Sequence, residues 1–486
     1  MEAKAVFDIF AEINKVPRPS KHEEKICEWL IRFAEEHQLE YEYMPLNEGA
    51  TTGNILMRKP ATPGYEDHPT VVLQAHMDMV CEKNADCPIN FETDPIETYI
   101  EDGWLHAKGT TLGADDGIGM AMMLAILTDK EAAHPALEAL FTTDEETGLT
   151  GAFCLQPGVI RGKRLINLDS EDHGQIFIGC AGGVDTLAHL YYTEEAAPEG
   201  YFAATIQVSG LMGGHSGDDI NKGRGNANKL LTRILFRMMK ETDLRIAKIN
   251  GGNLRNAIAR EAQATILVPM AYKEQMRVSF NIVSAELEAE YGEVEKDLKT
   301  ALESADKPAT VLPKAVSDKL ILALYACPHG MVKMSSAIPG LTQTSTNLAS
   351  VKMKADEKGN YIEINTSQRS SVESEKHAIK DVVEAALALS GAEVFHGDGY
   401  PGWTPNINSP LLDATKNAYI QLFGKEPRVL AIHAGLECGL FLEKYPDLDM
   451  VSVGPQMTGV HSPLEKLSIE STEQTYAWLK QTLLAL

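Results

Sequence analysis

The sequence predicts an α/β fold, a mixed central sheet flanked by helices, interrupted by an inserted α+β domain. Three observations predict it. A chain of 486 residues is too long for one hydrophobic core. Strand-like apolar runs alternate with helical stretches up to about Thr186, and this character returns late in the chain with "DMVSVGP". The stretch between has strands of alternating polarity, such as "YFAATIQVSG" and "EAQATILVPM", which suit a half-buried sheet. The expected boundaries are 1–186 and 397–486 for the first domain and 187–396 for the insert. The Gly-rich "FHGDGYPGW" marks the return.

The elements follow in order. In "RPSKHEEKICEWLIRFAEE", Ser20 stands three residues before Glu23, the pattern of a capping box that opens an amphipathic helix. "NILMRKP" and "PTVVLQAHMDMV" read as strands. "DDGIGMAMMLAILTDK" reads as a helix with a Gly-rich entry, and "EALFTTDEETG" and "GKRLINLDSED" as two further strands. In the insert, "NKGRGNANKLLTRILFRMMKE" is a basic amphipathic helix whose charges form a solvated face. The strand "YIEINTSQRSS" precedes the helix "EKHAIKDVVEAALAL". Two strand–helix blocks thus flank a less regular middle. No low-complexity segment and no short-period repeat is visible.

A net charge of −25 argues against nucleic acid and anionic membranes as partners. The first twenty residues lack a basic stretch followed by an apolar one, so no secretory signal is expected. No apolar run approaches the length of a membrane span. Seven scattered cysteines without a C-x-x-C pair fit a reduced cytoplasmic chain.

Chemistry-bearing residues gather where apolar strands end. "VVLQA" ends in His76 and Asp78, "ALFTT" in Asp144, Glu145 and Glu146, and "RLINL" in Asp169. "GADDG" places Asp115 and Asp116 before a helix, and "DMVSVGP" leads on to His461. In open α/β sheets, ligands sit outside the carboxyl ends of strands. Two imidazoles and several carboxylates there suit two divalent metal ions, zinc in the first place. The metals would neutralise carboxylates that otherwise repel one another. Taken singly, a strand-end carboxylate is more often a cap or a solvated loop residue, and a lone His a surface or core residue. The ordered set H-x-D, G-x-D-D-G, D-E-E-x-G, L-D and G-x-H-S outweighs those separate readings.

That set resembles the co-catalytic zinc metallopeptidases, which include carnosinases, carboxypeptidase G, peptidase T and succinyl-diaminopimelate desuccinylase. The resemblance runs from "VPRPSKHEE" to "GVHSPLEKL" and is strongest to the family's aminoacyl-histidine dipeptidase branch. It implies that His76 and Asp169 bind one zinc, Glu146 and His461 the other, and that Asp115 bridges both. It gives Asp78 the task of orienting His76 and makes Glu145 the general base. It implies a cis peptide bond after Asp115. It makes the insert a lid in which His215, in "GLMGGHSGDDI", stabilises the oxyanion. Asn256, in "GGNLRNAIA", would contact substrate, and Arg369, in "SQRSS", would hold the substrate's terminal carboxylate. "HAGLECG" brings His433, Gly435 and Glu437 near the site, Gly435 as a substrate contact.

The implied reaction is hydrolysis of a dipeptide amide bond, of the Xaa-His class. A water between two zinc ions gives its proton to Glu145, which returns it to the leaving amine. Mn²⁺ or Co²⁺ can take the same ligands. The resemblance allows a homodimer through the lid, and either subunit as the source of His215. An N-acyl amino acid deacylase or carboxypeptidase would use nearly the same site. A non-catalytic metal- or peptide-binding homologue should lack the base, which is present. A serine hydrolase is disfavoured by the lack of a G-x-S-x-G elbow.

Overall fold

The apolar runs Val71–His76 and Leu137–Thr142 form strands in which every residue is buried. Runs without polar alternation belong in a sheet covered on both faces. In the computed structural model, which describes residues 3–486, these two strands pair in parallel. Val71–His76 also pairs in parallel with Arg164–Asn167, and Asp449–Ser452 extends the parallel set. Among the described residues the mixed sheet has eight strands. Their order is Glu40–Pro45, Gly53–Lys59, Leu137–Thr142, Val71–His76, Arg164–Asn167, Asp449–Ser452, Gln175–Cys180 and Arg428–Ile432. The expected "DDGIGMAMMLAILTDK" helix spans Ala114–Thr128 and is buried from Ala114 to Leu127. A helix apolar on all sides is a core helix.

The described residues divide into two units. The first runs to Cys180 and resumes over Trp403–Ala431 and Leu436–Leu486. The second is Ala181–Gly402 with the short segment Ile432–Gly435. The division falls at 180/181 and 402/403 rather than at the expected 186/187 and 396/397. The cause is the strand Gly182–Tyr192, which pairs with Gly359–Ser370 of the second unit's sheet, so the change of pattern near Thr186 lies inside a strand.

The second unit is built twice over. Tyr201–Ser209, helix Ala227–Glu241, Arg245–Gly251, Ala262–Pro269, helix Lys273–Tyr291 and Lys299–Ser304 run strand, helix, strand, strand, helix, strand. Gly182–Tyr192, helix Lys314–Ala326, Thr342–Asp356, Gly359–Ser370, helix Glu373–Ala388 and Glu393–His396 repeat that order, with the first set inserted after its first strand. Both sets have the same neighbour order within one sheet. They meet edge to edge at Asn250 opposite Lys352 and Gly251 opposite Val351. The helices and one face of the sheet share an apolar core. The middle that the sequence leaves irregular is therefore regular, and holds the helix Lys314–Ala326.

One local expectation fails. The helix assigned a Ser20–Glu23 capping box starts at Glu24 and has no side-chain cap. Glu23 instead accepts the N–H groups of Lys21 and Asp144, at 2.8 and 3.0 Å, and Ser20 hydrogen-bonds Asp78. Both residues serve the strand ends rather than the helix.

Candidate metal centre

The parallel strands deliver their chemistry at one end of the sheet. His76 is the last residue of its strand, Asp169 lies just beyond Asn167, and Glu145 opens a short helix beyond Thr142. Asp144 makes that turn in the left-handed region, at φ 50°. Its carboxylate accepts the hydroxyls of Thr147 and Thr150, which satisfies one of three consecutive carboxylates within the turn itself.

His76 Nε2 lies 3.0 Å from Asp115 Oδ1 and 3.4 Å from Asp169 Oδ1. His461 Nε2 lies 3.1 Å from Asp115 Oδ2 and 3.0 Å from Glu146 Oε1. Asp115 thus presents one oxygen to each imidazole. Two clusters of ligand-type atoms result, His76–Asp115–Asp169 and Asp115–Glu146–His461, with each cluster's atoms within 4.8 Å of one another. His76, Glu145 and Glu146 form a further such cluster, as do Glu23, Asp78 and Asp144. Asp78 Oδ1 stands 3.4 Å from His76 Nδ1, and its two oxygens accept the N–H groups of Glu145 at 3.0 Å and Glu146 at 3.3 Å. The Asp115–Asp116 peptide bond is cis.

Electrostatics follow from this crowding. Hydrogen bonds to Asp115 and Glu146 hold the His461 imidazole up to about 11. Burial raises Asp115, yet hydrogen bonds from His461 and His76 override it and keep that carboxyl far below its ordinary range. Burial pushes Asp169 up to about 7 and raises Glu145, whose neighbours Asp169, Glu437 and Glu146 add to the effect. Buried Asp116 has no hydrogen-bond partner for either oxygen. Two imidazoles cannot balance Asp115, Asp116, Glu145, Glu146 and Asp169. A nitrogen and oxygen donor set of this charge, without thiolates, fits two divalent cations.

The second unit gathers its own polar cluster. His215 Nδ1 lies 3.3 Å from Asp218 Oδ2, and Ser216 N–H donates to the Asn256 carbonyl at 2.8 Å. These contacts bring the His215 and Asn256 segments together. Arg369 is 8% exposed, and its Nη1 donates to the Tyr400 hydroxyl at 2.8 Å. A Cβ at Gly435 would stand 2.7 Å from the Tyr400 ring, so glycine is required there. His433 Nε2 lies 2.7 Å from Ser345 Oγ, and burial with the nearby Arg369 charge pushes its imidazole down to about 4. Tyr400 therefore joins Arg369 to the Gly435 loop, a link with no sequence signal beyond an aromatic residue in a Gly-rich stretch. Glu437, in the first unit, accepts Gln74 Nε2 at 2.7 Å and Thr142 Oγ1 at 2.8 Å beneath the strand ends.

Comparison with known proteins adds a family. The sequence profile of peptidase family M20/M25/M40 matches residues 72–485. The chain belongs to that family. Cytosol non-specific dipeptidase of Escherichia coli (strain K12), a similar protein, is 43% identical over 483 residues, which are 99% of this chain and 98% of the relative. The crystal structure of aminoacylhistidine dipeptidase from Vibrio alginolyticus is similar at a TM-score of 0.92 and 40% identity, over 99% of this chain and 96% of that one. Aminopeptidase PepT from Bacillus cereus ATCC 10987 is similar in fold, at a TM-score of 0.63 and 16% identity, over 99% of this chain and 98% of that one.

Proposed function

We propose that this chain is a two-metal dipeptidase, with zinc as its metal and Mn²⁺ or Co²⁺ able to substitute. The observation that carries the reading is Asp115, whose two oxygens stand 3.0 and 3.1 Å from the imidazoles of two separate ligand clusters in an M20 chain. His76, Asp115 and Asp169 would hold one cation, and Asp115, Glu146 and His461 the other. When bound, the cations supply Lewis acidity toward the scissile carbonyl and toward the attacking water. Glu145 accepts the water's proton and returns it to the leaving amine. Asp78 fixes the His76 ring from behind and holds the N–H groups of Glu145 and Glu146. His215 supplies a donor to the developing oxyanion, Asn256 and Gly435 contact substrate, and Arg369 pairs with the terminal carboxylate. The buried Arg369 Nε, which has no hydrogen-bond partner, supports that last assignment.

Xaa-His dipeptides are the proposed preferred substrates. One similar protein is named for non-specific dipeptide cleavage and another for aminoacylhistidine cleavage, so histidine is favoured rather than required at the second position. Rates on Ala-His, β-Ala-His, Ala-Leu and N-acetyl-His test this. Fast cleavage of Ala-His with slower cleavage of Ala-Leu is expected. N-acetyl-His turned over faster than Ala-His would instead establish a deacylase. Cytoplasmic residence and a homodimer through the second unit belong to the same proposal. Seven free cysteines support the first, and light scattering of the purified protein tests the second. No helix among the described residues is long and apolar enough to cross a membrane.

A further inference from the structure

The motif Gly113-Ala114-Asp115-Asp116-Gly117 has a glycine on each side of its acidic pair. A Cβ at either glycine would stand 2.5 Å from the same atom, Arg18 Nη2, and Gly113 also needs its φ of 68°. The motif's small residues make room for a guanidinium. Arg18 is 1% exposed. Its Nη1 donates to the carbonyls of Met77 at 3.3 Å and Asp78 at 2.8 Å, and its Nη2 to the carbonyl of Gly113. Glu465 is 3% exposed and addresses the same loop with opposite polarity. Its Oε2 accepts the N–H groups of Leu112 at 2.7 Å and Gly113 at 3.2 Å, and its Oε1 that of Ala114 at 2.8 Å.

The other ends of these contacts give them meaning. Arg18 ties the loop to the two residues that follow His76. Glu465 lies four residues beyond His461. The loop that presents Asp115 is therefore fastened, by two buried charges, to both segments that carry an imidazole.

We propose that Arg18 and Glu465 are positioning residues that set Asp115 between two cations. The inference rests on the two-cation reading above. It makes a claim that charge alone would not. Removing a buried positive group near bound cations should strengthen their binding if only charge mattered. Removing a group that aims a shared ligand should weaken it, typically ~10–100-fold for a residue one step behind the ligands.

The test uses the full-length protein, stripped with a chelator and titrated with Zn²⁺ against a chromophoric competitor. Co²⁺ absorption reports ligand geometry in parallel. The expected result is uptake of two cations by wild type and ~10–100-fold weaker uptake by Arg18→Met, with an altered Co²⁺ spectrum. Arg18→Lys should behave like Arg18→Met, because it keeps the charge and loses the fork that reaches three carbonyls. Stronger uptake by Arg18→Met, or wild-type uptake by Arg18→Lys, overturns the proposal in favour of a charge effect. A lower melting temperature with unchanged affinity and spectrum overturns it in favour of a purely structural role. If the Arg18 variants do not fold, Glu465→Gln decides through the Co²⁺ spectrum: lost charge alone weakens uptake with the wild-type spectrum and overturns the proposal, whereas the loss of one accepting oxygen shifts Asp115 and alters the spectrum. Wild type that takes up no cation overturns the two-cation reading and this inference with it. Two cations bound equally well by wild type and all variants overturn this inference alone.

Discussion

Glu145 and Glu146 are neighbours of the same type, yet their surroundings separate them. Both share a cluster with His76, but of the two Glu146 also joins the cluster of Asp115 and His461, 3.0 Å from the imidazole. Glu145→Gln should therefore keep cation content and lower kcat by ~10²–10⁴, the usual weight of a general base. Loss of bound metal, with activity restored by added metal, would show that the two roles are exchanged. His433 offers a prediction in pH. Its imidazole sits near 4 in the folded chain, through burial and the Arg369 charge, with Asp218 opposing and His215 adding. The unfolded value is ~6.5, so between the two pH values the unfolded chain binds the extra proton. The contribution is present in full above about pH 6.5 and is lost as pH falls toward 4, to an extent on the order of 3 kcal/mol. Urea midpoints at pH 5 and 7.5 should differ less in His433→Gln than in wild type; an unchanged difference would refute it. At this scale the sequence shows the ligand-type residues because they are the wrong chemistry for the ends of apolar strands. It does not show Arg18, Glu465 or Tyr400. An arginine in "VPRPS" looks like a solvated loop residue until the fold lays it against two glycines.

Elements were legible where one periodicity persisted. The core helix Ala114–Thr128 declares itself by the unbroken apolar run from Gly117 to Leu127, and the fully buried strands by runs that only Gln74 and Glu138 interrupt before their polar last residues. The capping box misled because Glu23 and Ser20 satisfy polar groups far away in sequence, and local pattern cannot see that competition. The doubled second unit escaped for another reason. Its two halves share an order of elements rather than a spacing, and one half interrupts the other, so no period exists to find. Asn226 joins these halves. Its side chain accepts from the N–H groups of Asn228 and Lys229 as the cap of helix Ala227–Glu241, and its Nδ2 donates to the Leu348 carbonyl at 2.9 Å. Asn226→Ala should cost about 1–3 kcal/mol, cap and buried bond together. Asn226→Ser keeps a capping oxygen and loses the donor, so it should fall between Ala and wild type, whereas Asn226→Asp would set a buried carboxylate oxygen against the Leu348 carbonyl. Denaturation midpoints in the order wild type, Ser, Ala support the account, and Ser as damaging as Ala would show that the cap contributes little.

At the scale of the molecule, the α/β class followed from alternation and the inserted α+β part from a change of strand pattern. The exact division did not follow, because Gly182–Tyr192 pairs with partners nearly two hundred residues away, and only the sheet reveals them. One consequence of the division is testable. His76, Asp115, Glu146, Asp169 and His461 all lie in the first unit, and His215, Asn256, Arg369 and Gly435 all lie in the second. Without cations, the first unit holds buried carboxylates that repel one another, and binding relieves that repulsion only in the folded state. A ligand at ~1,000 times its Kd stabilises what it binds by ~4 kcal/mol. Hydrogen exchange with Zn²⁺ and with a chelator, both without dipeptide, should then differ in peptides covering residues 74–79, 112–118, 142–148, 166–170 and 459–465. Slower exchange with Zn²⁺ is expected there, because local opening of these strand ends and loops must release the metal. Peptides containing His215, Asn256 and Arg369 should exchange alike in both conditions. They should slow only when a dipeptide or its unreactive analogue is added with the metal. Protection by Zn²⁺ alone in those second-unit peptides would refute a division of labour in which one unit holds the cations and the other answers to the substrate.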